Sequence, residues 1–313
     1  MAIATPDQAE LSLASFRGDP RRMRNERIIK VAFAVAAGLT VVISALIVAS
    51  LVREAWTFIS QVEWASLYTS GWFPRRDDYD VLTLVAGSLL VTVVAMLVAI
   101  PIGMGAAIYL SEYAKPRVRR ILKPALEILA GIPSVVLGYF ALTFISPEVV
   151  SRLVPTSNQF NLAAAGIGVG ILTIPLIASI AEDAMRSVPA SLREAAYGMG
   201  ARKVSTSVRV VIPAAVSGLV AAFIVGISRA IGETMVVFIA AGASGGALRS
   251  FDLFQQGQTM TGGMASLASG TDQVRGAALT FQSLFFIGLL LFLITLLLNV
   301  FADRFVRRVR QKY

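Results

Sequence analysis

"AAVSGLVAAFIVGISRAIGETMVVFIAAG" (residues 214–242) decides the fold class. The run is longer than the ~20 mostly apolar residues that cross a bilayer as a helix. Yet it carries two full charges, Arg229 and Glu233. On the insertion scale a central arginine or acid costs about 2.5–3.5 kcal/mol, so the two cost about 5–7. Its twelve Leu, Ile, Val and Phe residues return about 0.3–0.6 kcal/mol each, roughly 4–7 in all. The charges cancel most of the segment's preference for lipid, so this helix belongs inside a bundle with its charges facing protein or water. Spacing of i, i+4 puts Arg229 and Glu233 on one face. Counted from Pro213, Arg229 lies about 24 Å along a straight helix, near mid-membrane. Two readings stay open at this point: an ion pair that stitches helices together, or an arginine that presents donors to an anion crossing the membrane.

The rest of the chain agrees with a membrane setting. It has 313 residues, 56% hydrophobic, with mean hydropathy +0.72 and 15% charged residues, against about a quarter charged in soluble domains. Six stretches qualify as spans: 28–52, 81–110, 121–145, 162–181, 210–242 and 277–302. The third is interrupted by Lys123, Glu127 and Pro133. Lipid offers no partner for unpaired backbone groups, and no ~10-residue alternating strands are visible, so the expected fold is an all-α bundle of six transmembrane helices. The first apolar run is too long for a cleaved signal peptide and shows no cleavage site. Cysteine and histidine are absent, which removes disulfides, thiolate nucleophiles, imidazole bases and Cys/His metal sites. No cofactor is expected.

Lysine and arginine distribution sets the orientation. Clusters in residues 1–27 and at Lys30, after the second span (Lys115, Arg117, Arg119, Arg120, Lys123), after the fourth (Arg186, Arg193, Arg202, Lys203, Arg209) and in the tail 303–313 hold 21 basic residues on one side. The other side holds six: Arg53, Arg75, Arg76, Arg152, Arg249 and Arg275. Both termini are therefore expected in the cytoplasm of a multi-pass plasma (inner) membrane protein. The net charge of +9 is read as membrane topology, with no nucleic-acid partner.

The outer segment "REAWTFISQVEWASLYTSGWFP" (53–74) offers Trp56, Trp64 and Trp72 as interfacial anchors and room for a short surface helix. The Gly-, Ser- and Gln-rich stretch 243–276 reads as an outer loop on which a partner docks. Pro101, Pro133 and Pro175 lie within spans, where each frees backbone groups that only protein or a wet interior tolerates. They read equally as packing kinks or as breaks lining a path. Gly103, Gly105, Gly166, Gly168 and Gly170 are expected to permit close helix packing.

The loop between the fourth and fifth spans reads "EDAMRSVPASLREAAYGMGARKVSTSVRVVIPAAVSG" (182–218). Pro189 with Ser191 as a cap looks like a helix start, and the piece ends at glycine. Here the chain resembles a family. Glu194-Ala195-Ala196, three residues, Gly200, nine residues, then Val210-Val211-Ile212-Pro213 is similar to the EAA loop of ABC importer permeases. Val210 and Ile212 depart conservatively from that family's Ile and Leu. "GMGAAIYLSEY" (103–113), "EILAGIPSVVLGYFAL" (127–142) and "VPASLREAAYGMGA" (188–201) resemble phosphate-specific (Pst-type) permeases, and "SRAIGETMVV" (228–237) resembles the PstC-type subunit, with the PstA type as second choice.

The resemblance implies a type I-like permease core over 81–302 with its coupling loop at 183–213, preceded by a first span and outer loop over 28–80. Arg193, Glu194, Ala195, Ala196 and Gly200 would then engage a cytoplasmic ATPase dimer. Arg229, Glu233 and Thr234 would line the substrate pathway. The implied partners are a sister permease (PstA-type), an extracytoplasmic phosphate-binding protein, inorganic phosphate and the lipid bilayer. The chain has no GxxxxGK[ST], so ATP hydrolysis falls to the partner. Rival readings are a permease for sulfate, molybdate or another oxyanion, and a non-transporting scaffold or receptor. A membrane-embedded enzyme would have to work with Glu112, Glu127, Glu182, Asp183 and Glu233, which form no clear constellation.

Overall fold

A computed structural model describes residues 20–69, 71–242, 247–270 and 279–309. Arg17, Arg310 and Lys312 of the basic clusters, Arg275 of the other side, residues 243–246 and 271–276 of the expected outer loop, and 277–278 of the expected last span lie outside the described residues. The chain divides after Leu51 into two compact units. The first is the N-terminal part of helix α1 (Pro20–Gln61). From Val31 to Leu51 it carries no charge, and Thr40 and Ser44 return their hydroxyls to backbone carbonyls one turn earlier. That is how a lipid-facing helix keeps its polar atoms satisfied.

The second unit begins with the end of α1, a 3-10 turn (Trp64–Tyr68) and a small sheet. Strands β1 (Gly71–Phe73), β2 (Asp78–Tyr79) and β3 (Ala247–Leu248) run antiparallel in the order β2-β1-β3. Trp72 stands opposite Tyr79 on one side and Ala247 on the other. Trp56 and Trp64 are exposed, as anchors should be, but Trp72 is only 1% exposed. Its ring meets Tyr79 edge-on at 6.0 Å, in a cluster with Phe58, Leu84, Met260 and Ile287. The third tryptophan is thus a core residue, because β-pairing turns it inward.

The bundle is built on α2 (Val81–Ile108), continued by a π-turn (Tyr109–Tyr113), and α6 (Leu162–Arg186). These two pack along each other. A Cβ at Gly166 or Gly170 would run into Val94, or into Val98 and the Ala95 carbonyl; Gly103 fits Ile177, and Gly168 fits Ala141 and Val236. Gly105 differs from the expectation, since nothing lies within 4 Å of where its Cβ would be. Asn161 starts α6 by accepting from the Ala164 N–H at 2.7 Å while its own amide donates to the Ser146 hydroxyl at 2.9 Å.

The third span is displaced from 121–145. Residues Pro116–Ala130 form a separate amphipathic helix, α3, with no buried residue. The chain then turns at Gly131–Pro133, and the apolar span runs Ser134–Leu153. It comprises α4 (Ser134–Phe140), a π-helical stretch (Ala141–Val150) and the short α5 (Ser151–Leu153). Pro133 sits at the start of α4, where its missing N–H costs nothing, and α3 upstream is too basic to be a span.

The fifth span is not one helix either. After α7 (Ala190–Gly198), α8 (Lys203–Thr206), a π-turn (Ser207–Val211) and α9 (Ile212–Ala214) meet α10 (Val216–Ile231) at a 73° bend. Helix α10 stops at Gly232 and α11 (Met235–Ala240) takes over. Among the described residues, five helices are long and apolar enough to cross a membrane, or six with that bent pair. The expected loop 243–276 is also more than a loop. Residues 257–263 are buried and lead into α12 (Met260–Ala268), before the last span, α13 (Thr280–Val309). Its polar composition hides this, because the segment is fitted by backbone rather than by apolar side chains. The Gln258 carbonyl occupies the place a Cβ of Gly87 would take, and the Met260 N–H donates to the Ser88 hydroxyl at 2.9 Å.

Candidate functional site

Arg229 and Glu233 bracket the break between α10 and α11. Gly232 ends α10, with its N–H on the Ser228 carbonyl at 3.3 Å, and the Glu233 N–H donates to the Ala230 carbonyl at 3.3 Å. Thr234 precedes α11; its carbonyl accepts from Phe238 at 2.8 Å, and its hydroxyl donates to the Gly232 carbonyl at 3.4 Å. The break is pinned from outside by Thr261, whose hydroxyl donates to the Glu233 carbonyl at 2.7 Å. A helix that stops inside an apolar run needs such partners for its freed backbone groups.

The side chains pair as their spacing requires. Arg229 Nη1 lies 3.3 Å from Glu233 Oε2 in an ion pair, but the two differ in setting: Glu233 is 4% exposed and Arg229 50%. The carboxylate is held in the bundle and the guanidinium projects from it. Arginine has five N–H donors, and with Glu233 its one ion-pair partner among the described residues, most of the fork is open on the exposed side. Arg229 stands about 20 Å from the start of α10 at Val216, on a helix that begins only after the 73° bend. The straight-helix distance from Pro213 is therefore replaced by this shorter one.

The second group of predicted residues surrounds α7. Pro189, not Ser191, precedes its first residue, and no side chain caps it; Ser191 lies inside the helix. Its other end is closed by a Schellman arrangement. The Gly200 N–H donates to the Tyr197 carbonyl at 2.9 Å and the Ala201 N–H to the Ala196 carbonyl at 3.0 Å. Gly200 takes φ +78°, a conformation that costs a residue with a Cβ about 1–2 kcal/mol. The spacing from Ala196 to Gly200 is thus the spacing from the carbonyl that accepts the wider of the two closing bonds to the left-handed cap. Glu194 and Ala195 are exposed. Arg193 is not an outward group. Its guanidinium reaches Glu112 Oε1 at 3.0 Å and the carbonyls of Val188 and Met185 at 2.7 and 2.8 Å. Glu112 is 4% exposed, so this pair ties α7 to the far ends of α2 and α6.

Sequence reasoning missed two further clusters. Glu182, fully buried on α6, takes Arg119 and Lys123 of α3, with Lys123 Nζ at 2.8 Å from it and 2.7 Å from Asp183. Burial depresses the Lys123 ammonium, but its hydrogen bonds to Asp183 and Glu182 outweigh this and hold it above the ordinary lysine range. At the opposite end, buried Asp80 receives Arg249 in a two-pronged contact at 2.8 and 2.7 Å and the Thr83 hydroxyl at 2.6 Å. The i, i+4 spacing of Arg119 and Lys123 was a readable signal. The pairing of Asp80 with a residue 169 positions away had none. No three His, Cys, Asp or Glu side chains among the described residues are grouped to hold a metal.

Residues 99–311 match the family described as binding-protein-dependent transport system inner membrane component. The chain is 37% identical over 181 residues to a probable ABC transporter permease protein, YqgH, of Bacillus subtilis, covering 57% of this chain and 58% of that one. It is 32% identical over 294 residues to the phosphate transport system permease protein PstC of Mesorhizobium japonicum, 88% of either chain. In three dimensions it is similar to a bacterial ABC transporter involved in the import of the acidic polysaccharide alginate, with TM-score 0.63 over 93% of this chain and all of that one, at 13% identity. The chain thus belongs to the binding-protein-dependent transport system inner membrane components, the permeases of ABC importers, and within them to the PstC-type permeases.

Proposed function

We propose that this permease carries inorganic phosphate into the cytoplasm as one half of an ATP-driven importer, its basic end and both termini facing the cytoplasm. The observation that supports this most directly is the asymmetric pair at the α10–α11 break: a buried Glu233 holding a half-exposed Arg229. A guanidinium stays charged, and its planar fork matches phosphate oxygens. Glu233 fixes its position and offsets part of its charge, so the anion is met without being trapped. The Thr234 hydroxyl, now on the Gly232 carbonyl, is a further donor beside it. A sister permease of the PstA type completes the passage on the exposed side of Arg229. An extracytoplasmic phosphate-binding protein delivers the anion.

Coupling falls to the loop 183–213. In this reading α7 is the helix that enters a cleft of the cytoplasmic ATPase dimer, with Glu194, Ala195 and Ala196 as its presented face and Gly200 as its stop. Arg193 acts from behind, passing the movement of α7 to α2 and α6. ATP-driven closure of the ATPases then rocks the helices between inward and outward access.

The test is uptake by the assembled transporter in proteoliposomes with ATP inside and binding protein outside. Arg229→Gln is expected to lower phosphate uptake at least about 30-fold, the factor given by about 2 kcal/mol of lost charge-assisted bonding, while the complex stays assembled. Unchanged uptake would make the pair a structural stitch. Sulfate or molybdate competing as well as phosphate for wild-type uptake would assign the passage to another oxyanion.

A further inference from the structure

Behind the α10–α11 break stand two buried hydroxyls, Thr259 and Thr261, at the start of α12. The Thr259 hydroxyl accepts from the Gly262 N–H at 3.1 Å and so caps α12. The Thr261 hydroxyl donates to the Glu233 carbonyl at 2.7 Å. The two hydroxyl oxygens lie 3.2 Å apart, within reach of a bond between them. A hydroxyl has one proton to give. Thr261 gives its own to Glu233, so Thr259 is the donor of the pair. The bonds therefore run one way, from the Gly262 N–H through Thr259 and Thr261 to the Glu233 carbonyl. Bonds ordered head to tail in this manner polarise and strengthen one another.

The Glu233 carbonyl depends on that chain. Its own N–H is fixed on the Ala230 carbonyl of α10. The first bond of α11, from the Phe238 N–H, goes to the Thr234 carbonyl, and among the described residues Thr261 is the donor that Glu233 receives. Glu233 is thus held from α10 on one side and from Thr261 on the other, and its carboxylate pairs with Arg229. The segment that carries Thr261 is seated on α2, by the Met260 N–H on the Ser88 hydroxyl and by the Gln258 carbonyl against Gly87. We propose that Thr261 is a positioning residue for transport: through the backbone of Glu233 it sets where the Arg229 guanidinium stands in the passage. The proposal rests on the reading that Arg229 meets the anion. Thr261 itself is 4% exposed, so its influence is indirect. A misplacement of about 1 Å at a reacting or binding group costs up to about 100-fold in rate, so a hydroxyl that the cargo never touches can still govern its passage.

The experiment measures phosphate uptake by the whole transporter in proteoliposomes. Thr261→Val keeps the branched shape and removes the hydroxyl. It is expected to lower uptake about ten-fold, with the complex still assembled. Thr261→Ser returns the hydroxyl and is expected to restore most of the uptake. The deciding comparison places Thr261→Val in the Arg229→Gln chain. If Thr261 acts through Arg229, the double variant is as slow as Arg229→Gln alone, whereas an unrelated structural defect multiplies the two losses. Multiplied losses would overturn the proposal, as would uptake by Thr261→Ser as low as that by Thr261→Val. Wild-type uptake by Thr261→Val beside a slow Arg229→Gln would overturn the positioning role alone. Wild-type uptake by Arg229→Gln would overturn the reading beneath it, and the proposal with it. If Thr261→Val does not assemble, Thr261→Ala takes its place. Failure of both to assemble would make Thr261 a structural residue and overturn the proposal too.

Discussion

At Gly200 the requirement is purely conformational. Its φ of +78° excludes a Cβ on backbone grounds, while the space around the missing side chain is open. Gly200→Ala is therefore expected to loosen the end of α7 by about 1–2 kcal/mol, and Gly200→Asn by less, because asparagine tolerates the left-handed region. Co-purification of the ATPase with the permease and ATP-driven uptake should fall in that order. A Cβ at Gly200 has no heavy atom within 4 Å among the described residues, so on the proposed reading a loss beyond the backbone cost reports the fit of α7 into its partner. Gly105→Ala, in open helical surroundings, serves as the silent control. The pairing of Arg229 with Glu233 was legible from spacing alone, since i, i+4 decides it. Their unequal exposure was not, because it depends on tertiary contacts such as the one by which Thr261, nearly thirty residues later, holds the Glu233 carbonyl. Arg193 was read as part of the docking face for the same reason: adjacency to Glu194 says nothing about which way a helix turns its sides.

Among elements, the second, fourth and last spans were legible because each is one unbroken apolar helix. The third and fifth were not. Hydropathy counts α3 and α4 as one stretch although Gly131–Pro133 separates a basic interfacial helix from the true span. It likewise smooths over the bend at Ala215 and the stop at Gly232. The buried segment 257–263 left no hydropathy signal at all, since its fit depends on Gly87. Gly87→Ala would drive a methyl into the Gln258 carbonyl. A backbone oxygen cannot rotate away, so the segment must move, at a cost of about 1–3 kcal/mol or more. The measurement is thermal unfolding of the purified complex. Gly87→Ala should lower its midpoint clearly, whereas an unchanged midpoint would mean that the segment 257–263 is not seated on α2 as described.

Across the whole molecule, few long-range polar ties hold the ends of the bundle. Asp80 with Arg249 closes one end, and Glu112 with Arg193 and Glu182 with Arg119 and Lys123 close the other. If α7 takes the stroke of the ATPases, Glu112–Arg193 is the strut that carries it into α2. Arg193→Glu or Glu112→Arg alone leaves a nearly buried charge facing its like, costing about 3 kcal/mol. Each is expected to leave ATP hydrolysis running while uptake fails, and the double exchange to restore uptake in part. Restoration is the decisive reading, because two unrelated structural defects would add rather than cancel.

The half-exposed Arg229 also bears on the life of the chain before it finds its partners. A copy without a sister subunit turns a guanidinium outward from an apolar helix, with only a part of its charge matched by Glu233. Lipid is a poor host for that group, so covering its exposed side is expected to stabilise the chain. On the proposed reading one side chain serves two ends: it meets the anion in the assembled transporter, and its poor fit to lipid favours assembly.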